Sequence, residues 1–203
     1  ESQTAGLRIR PIEAGIEVVA AINDPEVNRL VLRYLVEGEK SVFGGGEQFS
    51  HLNLKGYEVP VWVEEQGIGR GDKGITWLVK LAGVAGDAFS TYFPRAFFLS
   101  TAGYSVQAKG YNRMLWNFEQ PEVTEITTYS KVLELQFHYK DDPLELLGHY
   151  ARNSGGGLAQ PLPDWTYGTW LGVQGGRDTV SKLLAQARAF DNPVTAIWIQ
   201  DWV

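Results

Sequence analysis

The strongest constraint on the fold is a change in hydrophobic periodicity near residue 140. Before it, short runs alternate between apolar and polar side chains, as in Leu7–Arg10 and Ile16–Val18. After it, apolar residues recur at helical spacing, at Leu144, Leu147 and Tyr150. A period of two is typical of strands with one solvated face, and a period of about 3.6 of amphipathic helices. The sequence therefore predicts two architectures in series.

The first architecture is a succession of short strands. Asn23-Asp24-Pro25 marks one turn, and Gly, Asn, Asp and Pro punctuate the other gaps. Many short strands with regular turns predict a β-sandwich over residues 1–140, so the chain is expected to be mainly β. The further runs predicted as strands are Leu30–Leu32, Val59–Val63, Ile75–Leu81, Ala96–Ser100, Tyr104–Ala108, Met114–Phe118 and Val132–Tyr139.

The second architecture begins after a helix and linker at 141–163. Pro143 in the first turn predicts the helix start, and the linker ends in Gln160-Pro161-Leu162-Pro163. Residues 164–203 then predict a strand, a helix and a strand, which implies two parallel strands and a crossover helix. A (β/α)₈ barrel needs about 250 residues, so this segment is interpreted as its first β-α-β unit, cut in mid-domain. The three elements are expected at Trp165–Val173, Asp178–Phe190 and Thr195–Trp202.

Composition narrows the function classes. The net charge of −6 argues against a nucleic-acid surface, which needs clustered Lys and Arg. No stretch of apolar residues is long enough to predict a membrane span. Without cysteine, disulfides and thiolate metal sites are excluded. The chain begins at Glu1 without a signal-like apolar core and is interpreted as a trimmed fragment, with a cytoplasmic location expected.

Two glycine-rich stretches look like nucleotide-binding motifs but lack the rest of the pattern that such sites need. Residues 69–74 match G-x-G-x-x-G, but the residues after them alternate as in a strand, whereas a dinucleotide site needs a helix there. Residues 44–47 lack the Gly-Lys-Ser/Thr ending of a phosphate loop. The three histidines, His51, His138 and His149, lack metal-ligand spacing, and His138 is predicted to be a satisfied structural residue.

The chain offers only weak candidates for the two carboxylates that glycosidases place on either side of the scissile bond. Glu64 and Glu65 are neighbours on an extended segment and should point to opposite faces. Asp141 and Asp142 precede a helix, where capping explains them. Asp201 is the remaining candidate, at the carboxyl end of a predicted barrel strand, where such barrels place their sites.

Several segments together resemble glycoside hydrolase family 31. They are Trp165-Thr166-Tyr167-Gly168, the run Ile197-Trp198-Ile199-Gln200-Asp201-Trp202, and the helix with its Pro-x-Pro linker. The resemblance covers essentially the whole chain and implies a galactose-mutarotase-like N-terminal β-sandwich before a catalytic (β/α)₈ barrel. It also implies a retaining α-glycosidase, with a small sugar glycoside as ligand and without a metal or organic cofactor.

Within the family, two segments are similar to the sulfoquinovosidase branch: Phe43–Phe49, which reads FGGGEQF, and 65–70, which reads EQGIGR. The resemblance implies that Gln174 and Gln200 bind substrate, the second replacing an Asp of ordinary α-glucosidases. A neutral amide suits an anionic sulfonated sugar, because a carboxylate would add like-charge repulsion.

The resemblance places the catalytic aspartates on later strands, so no catalytic residue is assigned in this chain. Further candidates for substrate contact are Asp201, Trp202, Glu65 and Arg70. The fragment alone is expected to be inactive. Two alternatives stay open: an α-glucosidase or α-xylosidase of the same family, and a non-catalytic carbohydrate-binding β-sandwich, against which the β-α-β segment argues.

Overall fold

The computed structural model describes residues 5–66, 78, 81–82, 86–154 and 161–199. Within them the chain is mainly β, as the sequence predicts. Contacts between residues divide it into two units, Glu1–Tyr150 and Ala151–Val203. None of the helices in the described ranges is long and apolar enough to cross a membrane.

In its described residues, the first unit contains ten strands in two antiparallel sheets. A six-stranded sheet has the order β1-β2-β10-β7-β6-β4, and a four-stranded sheet has the order β3-β9-β8-β5. The strands are β1 (Ala5–Ile12), β2 (Gly15–Ile22), β3 (Leu30–Leu35), β4 (Val42–Gly46), β5 (Glu58–Val61), β6 (Pro94–Ser100), β7 (Tyr104–Ala108), β8 (Met114–Asn117), β9 (Val123–Thr128) and β10 (Val132–Tyr139).

The two sheets face each other across an aromatic core. Phe98 of the six-stranded sheet contacts Trp116 of the four-stranded sheet, with ring centroids 4.5 Å apart. Both are fully buried, as are Phe118, Leu54 and Ile126. The arrangement is a β-sandwich, because alternate residues of every inner strand point into one shared layer.

A charged group is buried at one end of this sandwich. The side chain of Glu39 is completely buried and accepts from Lys55 Nζ at 2.8 Å. Its second oxygen accepts from the hydroxyls of Ser100 and Tyr104, both at 2.6 Å. These donors compensate for the loss of water around the carboxylate.

Helix α1 (Pro143–Asn153) begins where the sequence predicts. Asp142 caps it by accepting from the N–H of Leu144 at 2.8 Å, which confirms the capping interpretation. Leu146 is buried, and Tyr150 stacks on Phe97 with ring centroids 3.8 Å apart. Since Phe98 points into the core, α1 packs on the outer face of the six-stranded sheet.

His138 supports the same helix. Its Nδ1 lies 3.2 Å from the carbonyl oxygen of Glu13, and its ring lies 4.0 Å from that of His149 on α1. The prediction of a satisfied structural histidine is confirmed. Burial, and then the neighbouring His149, lower the pKa of His138.

The second unit contains a short 3-10 helix (Asp164–Tyr167), strand β11 (Thr169–Val173), helix α2 (Gly176–Ala189) and strand β12 (Val194–Ile199). The two strands pair in parallel, as predicted for a β-α-β segment. The predicted strand Trp165–Val173 is wrong over its first four residues, because 165–167 belong to the 3-10 helix and Gly168 is its C-cap. Thr195 Oγ1 donates to the carbonyl oxygen of Trp165 at 2.9 Å and holds that coil beside β12.

Three other strand assignments differ from the sequence prediction. Most of Ile75–Leu81 lies outside the described residues, and its described members, Leu78 and Leu81, are helical, with the N–H of Ala82 donating to Leu78 O at 3.0 Å. Strand β4 was missed because it ends in three glycines, which have low strand propensity. Strand β9 was missed because its buried side holds two threonines beside Ile126, so the segment looks polar.

Candidate functional site

FGGGEQF and the residues that lead into EQGIGR contact one short stretch of chain, 91–94, while residues 67–70 lie outside the described residues. Gly46 pairs with Pro94, and the N–H of Glu47 donates to Phe93 O at 3.0 Å. On the other side, Val63 bridges to Thr91. Residues from FGGGEQF and from the segment leading into EQGIGR therefore both contact this stretch, although 15 residues, 50–64, lie between the two sequence segments.

The glycines of FGGGEQF are needed for this geometry. Gly44 has φ +127°, and a Cβ there would lie 2.2 Å from Phe97 O. Gly46 has φ +94°, and its Cβ would lie 2.1 Å from Phe93 O. Both positions combine a left-handed backbone with a close approach of a neighbouring strand, which only glycine accommodates.

Glu65 lies on the second of these segments. It is exposed, and Tyr92 donates its hydroxyl to the carboxylate. This hydrogen bond is the largest cause of a raised pKa of Tyr92. The carbonyl oxygen of Glu65 accepts from the N–H of Gly86 at 2.8 Å, which fixes the backbone at this point. Sequence reasoning missed Tyr92, because no local pattern links residues 27 positions apart.

Glu64 and Glu65 accept hydrogen bonds from different side chains. Ser90 Oγ donates to Glu64 at 2.6 Å, whereas the neighbouring Glu65 is held by Tyr92. The two carboxylates thus have separate partners, as expected for adjacent residues of an extended segment. Among the described residues, no group of three or more His, Cys, Asp or Glu side chains could hold a metal ion.

The second unit carries the predicted glutamines. Val173 and Ile199, the last residues of β11 and β12, are register partners in the parallel pair. Gln174 is the next residue after Val173; it is exposed and precedes Gly175, whose left-handed backbone starts helix α2. Gln200 follows Ile199 in the sequence.

Four of the predicted site residues lie outside the described residues: Arg70, Gln200, Asp201 and Trp202. Of the remaining two, Glu65 belongs to the first unit and Gln174 to the second. Their assignment to a substrate site therefore stays a prediction.

Comparison with known proteins gives a consistent group of relatives. The chain is 36% identical to a sulfoquinovosidase of Escherichia coli over 179 residues, which is 86% of this chain and 26% of that protein. It is 31% identical to a sulfoquinovosidase of Agrobacterium fabrum over 185 residues, 89% of this chain and 27% of that protein. The chain thus spans about a quarter of the length of these relatives. No match was found among models of known protein families.

Solved structures agree with this grouping. The chain resembles a family 31 sulfoquinovosidase from E. rectale, solved with an aza-sugar inhibitor, with a TM-score of 0.69 and 29% identity. The match covers 98% of this chain and 30% of that one. A cycloalternan-forming enzyme from Listeria monocytogenes matches with a TM-score of 0.55 at 15% identity, which supports the fold alone.

Proposed function

Because the chain belongs to the sulfoquinovosidase branch of glycoside hydrolase family 31, we propose that it is part of a retaining α-glycosidase that releases sulfoquinovose from α-sulfoquinovosyl glycerides. The observation that carries this proposal is the 36% identity to a sulfoquinovosidase over 86% of the chain. The ligand class is a small sugar glycoside with an anionic sulfonate.

In this proposal the β11-α2-β12 segment is the first β-α-β unit of the catalytic barrel. Active sites of such barrels lie at the carboxyl ends of the strands. The parallel register supports a shared location there, because Gln174 and Gln200 each follow one of two paired strand-end residues. Neighbouring strands lie about 4.8 Å apart, close enough for two glutamines to contact one sugar.

The two amides suit the proposed glycone. Each amide donates and accepts hydrogen bonds with sugar hydroxyls and carries no charge that would repel a sulfonate. The reaction would be a double displacement, with one carboxylate as nucleophile and a second as acid and base. Both carboxylates are proposed to lie in the part of the relatives' length that this chain does not span. Asp201, Trp202, Glu65 and Arg70 are proposed as further substrate contacts.

The test uses a polypeptide of the relatives' length that contains this chain. It should hydrolyse 4-nitrophenyl α-sulfoquinovoside and leave 4-nitrophenyl α-glucoside largely intact, while the 203-residue chain hydrolyses neither. Preference for the glucoside would instead favour the α-glucosidase alternative. Turnover by the pure 203-residue chain, lost in Asp201→Asn or Glu65→Gln, would place the catalytic pair within it.

Specificity is tested by Gln200→Glu in that longer polypeptide. The change removes an amide donor and adds a negative charge beside the sulfonate, each costing about 1–3 kcal/mol. The value of kcat/KM for the sulfonated substrate should fall at least about tenfold, and that for a neutral glucoside should fall less. Equal losses on both substrates would refute the charge argument.

A further inference from the structure

The outer face of the four-stranded sheet carries an arginine held between two aromatic rings. The guanidinium of Arg113 lies 3.9 Å from the ring centroid of Trp62 and 5.1 Å from that of Tyr129. Arg113 is exposed, and Tyr129 is 39% exposed. This group belongs to neither of the segments considered above for the proposed active site.

The strand register explains why the three residues meet. Val61, Met114 and Thr128 are cross-strand partners on β5, β8 and β9, and all three point into the core. Trp62, Arg113 and Tyr129 each lie one residue beyond this row, in the same direction along the strands. Successive residues of a strand point to opposite faces, so these three side chains form a row on the outer face. The N–H of Tyr129 donates to Arg113 O at 3.0 Å and continues the ladder into this row.

Arg113 contacts two aromatic rings, whereas Arg95 contacts the single ring of Phe93. Arg10 and Arg33 are each bonded to a carboxylate, of Glu17 and Glu125 respectively. In the described ranges no carboxylate lies within ion-pair distance of Arg113. Arg113 is exposed beside these rings, and a guanidinium stacked on an aromatic ring keeps the N–H donors at its edge for an oxyanion.

The neighbouring rows of this face differ in exposure and charge. Two residues further along the strands, a distance of about 7 Å, lie the register partners Pro60, Leu115 and Thr127. Pro60 is buried, whereas Leu115 and Thr127 are half-buried and keep part of their side chains accessible. The next row holds Asn117 and the carboxylates Glu58 and Glu125, and Glu125 is paired with Arg33. Next to the Arg113 row, the accessible side chains are therefore those of Leu115 and Thr127, and the carboxylates lie two rows away.

We propose that this outer-face surface is a non-catalytic binding site for a sulfonated monosaccharide. The sulfonate pairs with the guanidinium of Arg113, and the pyranose ring lies against Leu115 and Thr127. The ligand class rests on the proposed function; the position of the site rests on the sheet geometry alone. An anionic sugar fits better than a neutral one, because the Arg113 edge would otherwise gain nothing over water.

The experiment measures binding to the 203-residue chain by ligand-observed saturation-transfer NMR, with methyl α-sulfoquinovoside and methyl α-glucoside as probes. We expect saturable millimolar binding of the sulfonated probe and much weaker binding of the glucoside. Arg113→Gln should weaken binding about tenfold, the loss of one charged hydrogen bond. Arg113→Lys should give an intermediate loss, since charge is kept but the planar fork is not.

Arg8→Gln is the matched control, because Arg8 is an exposed strand arginine on the other sheet and the variant loses the same charge. It should bind like the original chain. Equal effects of Arg8→Gln and Arg113→Gln, equal affinity for the two probes, or no saturable binding would each overturn the proposal. If the chain bound the sulfonated probe but the longer polypeptide did not hydrolyse the sulfoquinovoside, the proposed function would be refuted and the binding site would stand. The two outcomes are separable because the NMR assay involves no hydrolysis.

Discussion

Replacing Lys55 by Met should destabilise the sandwich strongly. The aliphatic stem is kept, but the Glu39 carboxylate, whose side chain is completely buried, loses its cation at 2.8 Å. Removing one partner of a buried ion pair costs about 3–5 kcal/mol. Ser100 and Tyr104 still donate to the carboxylate at 2.6 Å, so we expect the lower end of this range. A loss of about 3 kcal/mol lowers the Tm by roughly 6–12 °C for a chain of this size.

The assay is thermal and urea unfolding at pH 7 at submicromolar protein, followed by the tryptophan fluorescence of the chain, to which the fully buried Trp116 contributes. The Glu39→Gln/Lys55→Met double variant should recover at least half of the lost stability, because the buried charge is gone. The reasoning would be refuted by a Lys55→Met chain that unfolds within about 0.5 kcal/mol of the original. It would also fail if the double variant were no more stable than the single one.

Three further outcomes are expected. Gly44→Ala should cost at least about 2 kcal/mol in urea unfolding, since φ is +127° and the Cβ would meet Phe97 O at 2.2 Å, whereas Gly6→Ala, with open space around it, should change little. Stability should fall as pH drops below about 6.5, because the lowered pKa of His138 means that the unfolded chain takes up its proton first; His138→Gln should flatten that slope, and an unchanged slope would contradict it. The 203-residue chain should self-associate while residues 1–140 stay monomeric, because Trp198 is 60% exposed; a monodisperse monomer by light scattering at high concentration would contradict this.

The sequence predicted those parts of the fold in which local pattern and burial agree. Strands β7 (Tyr104–Ala108) and β10 (Val132–Tyr139) have the predicted bounds, because apolar residues alternate along both. Strand β9 escaped because Thr124 and Thr128 are fully buried although they are polar. The turn at Asp164–Tyr167 escaped because Trp165 and Tyr167 extend the apolar run of the following strand, and periodicity alone does not separate a strand from a short helix.

The candidate sites differ in how far the sequence alone could predict them. Gln174 could be placed at a strand end from the β-α-β pattern alone, since the pattern fixes which residue follows the strand. The Tyr92–Glu65 bond and the Arg113 row could not be placed in this way, because each joins residues from separate strands or loops. Cross-strand register depends on loop lengths and on which face is buried, and neither is visible at the residues that finally meet.

The two units differ in how much of their apolar surface is buried. This difference determines where we expect the 203-residue chain to bind a ligand by itself. The sandwich encloses a continuous aromatic core around Phe98 and Trp116. In the second unit the buried hydrophobic residues within the described ranges are Val173 and Ala187, while Trp170 is 47% exposed. Parallel strands are ordinarily covered on both faces, and within the described ranges β11 and β12 are accompanied by one α-helix, so we expect less of the packing that holds a binding side chain rigid. Binding at Arg113 should therefore be measurable on this chain, whereas binding at Gln174 should need the longer polypeptide. If the 203-residue chain bound the sulfonated sugar, and Gln174→Ala abolished this binding while Arg113→Gln left it unchanged, the binding site of the isolated chain would be at Gln174 and not at Arg113.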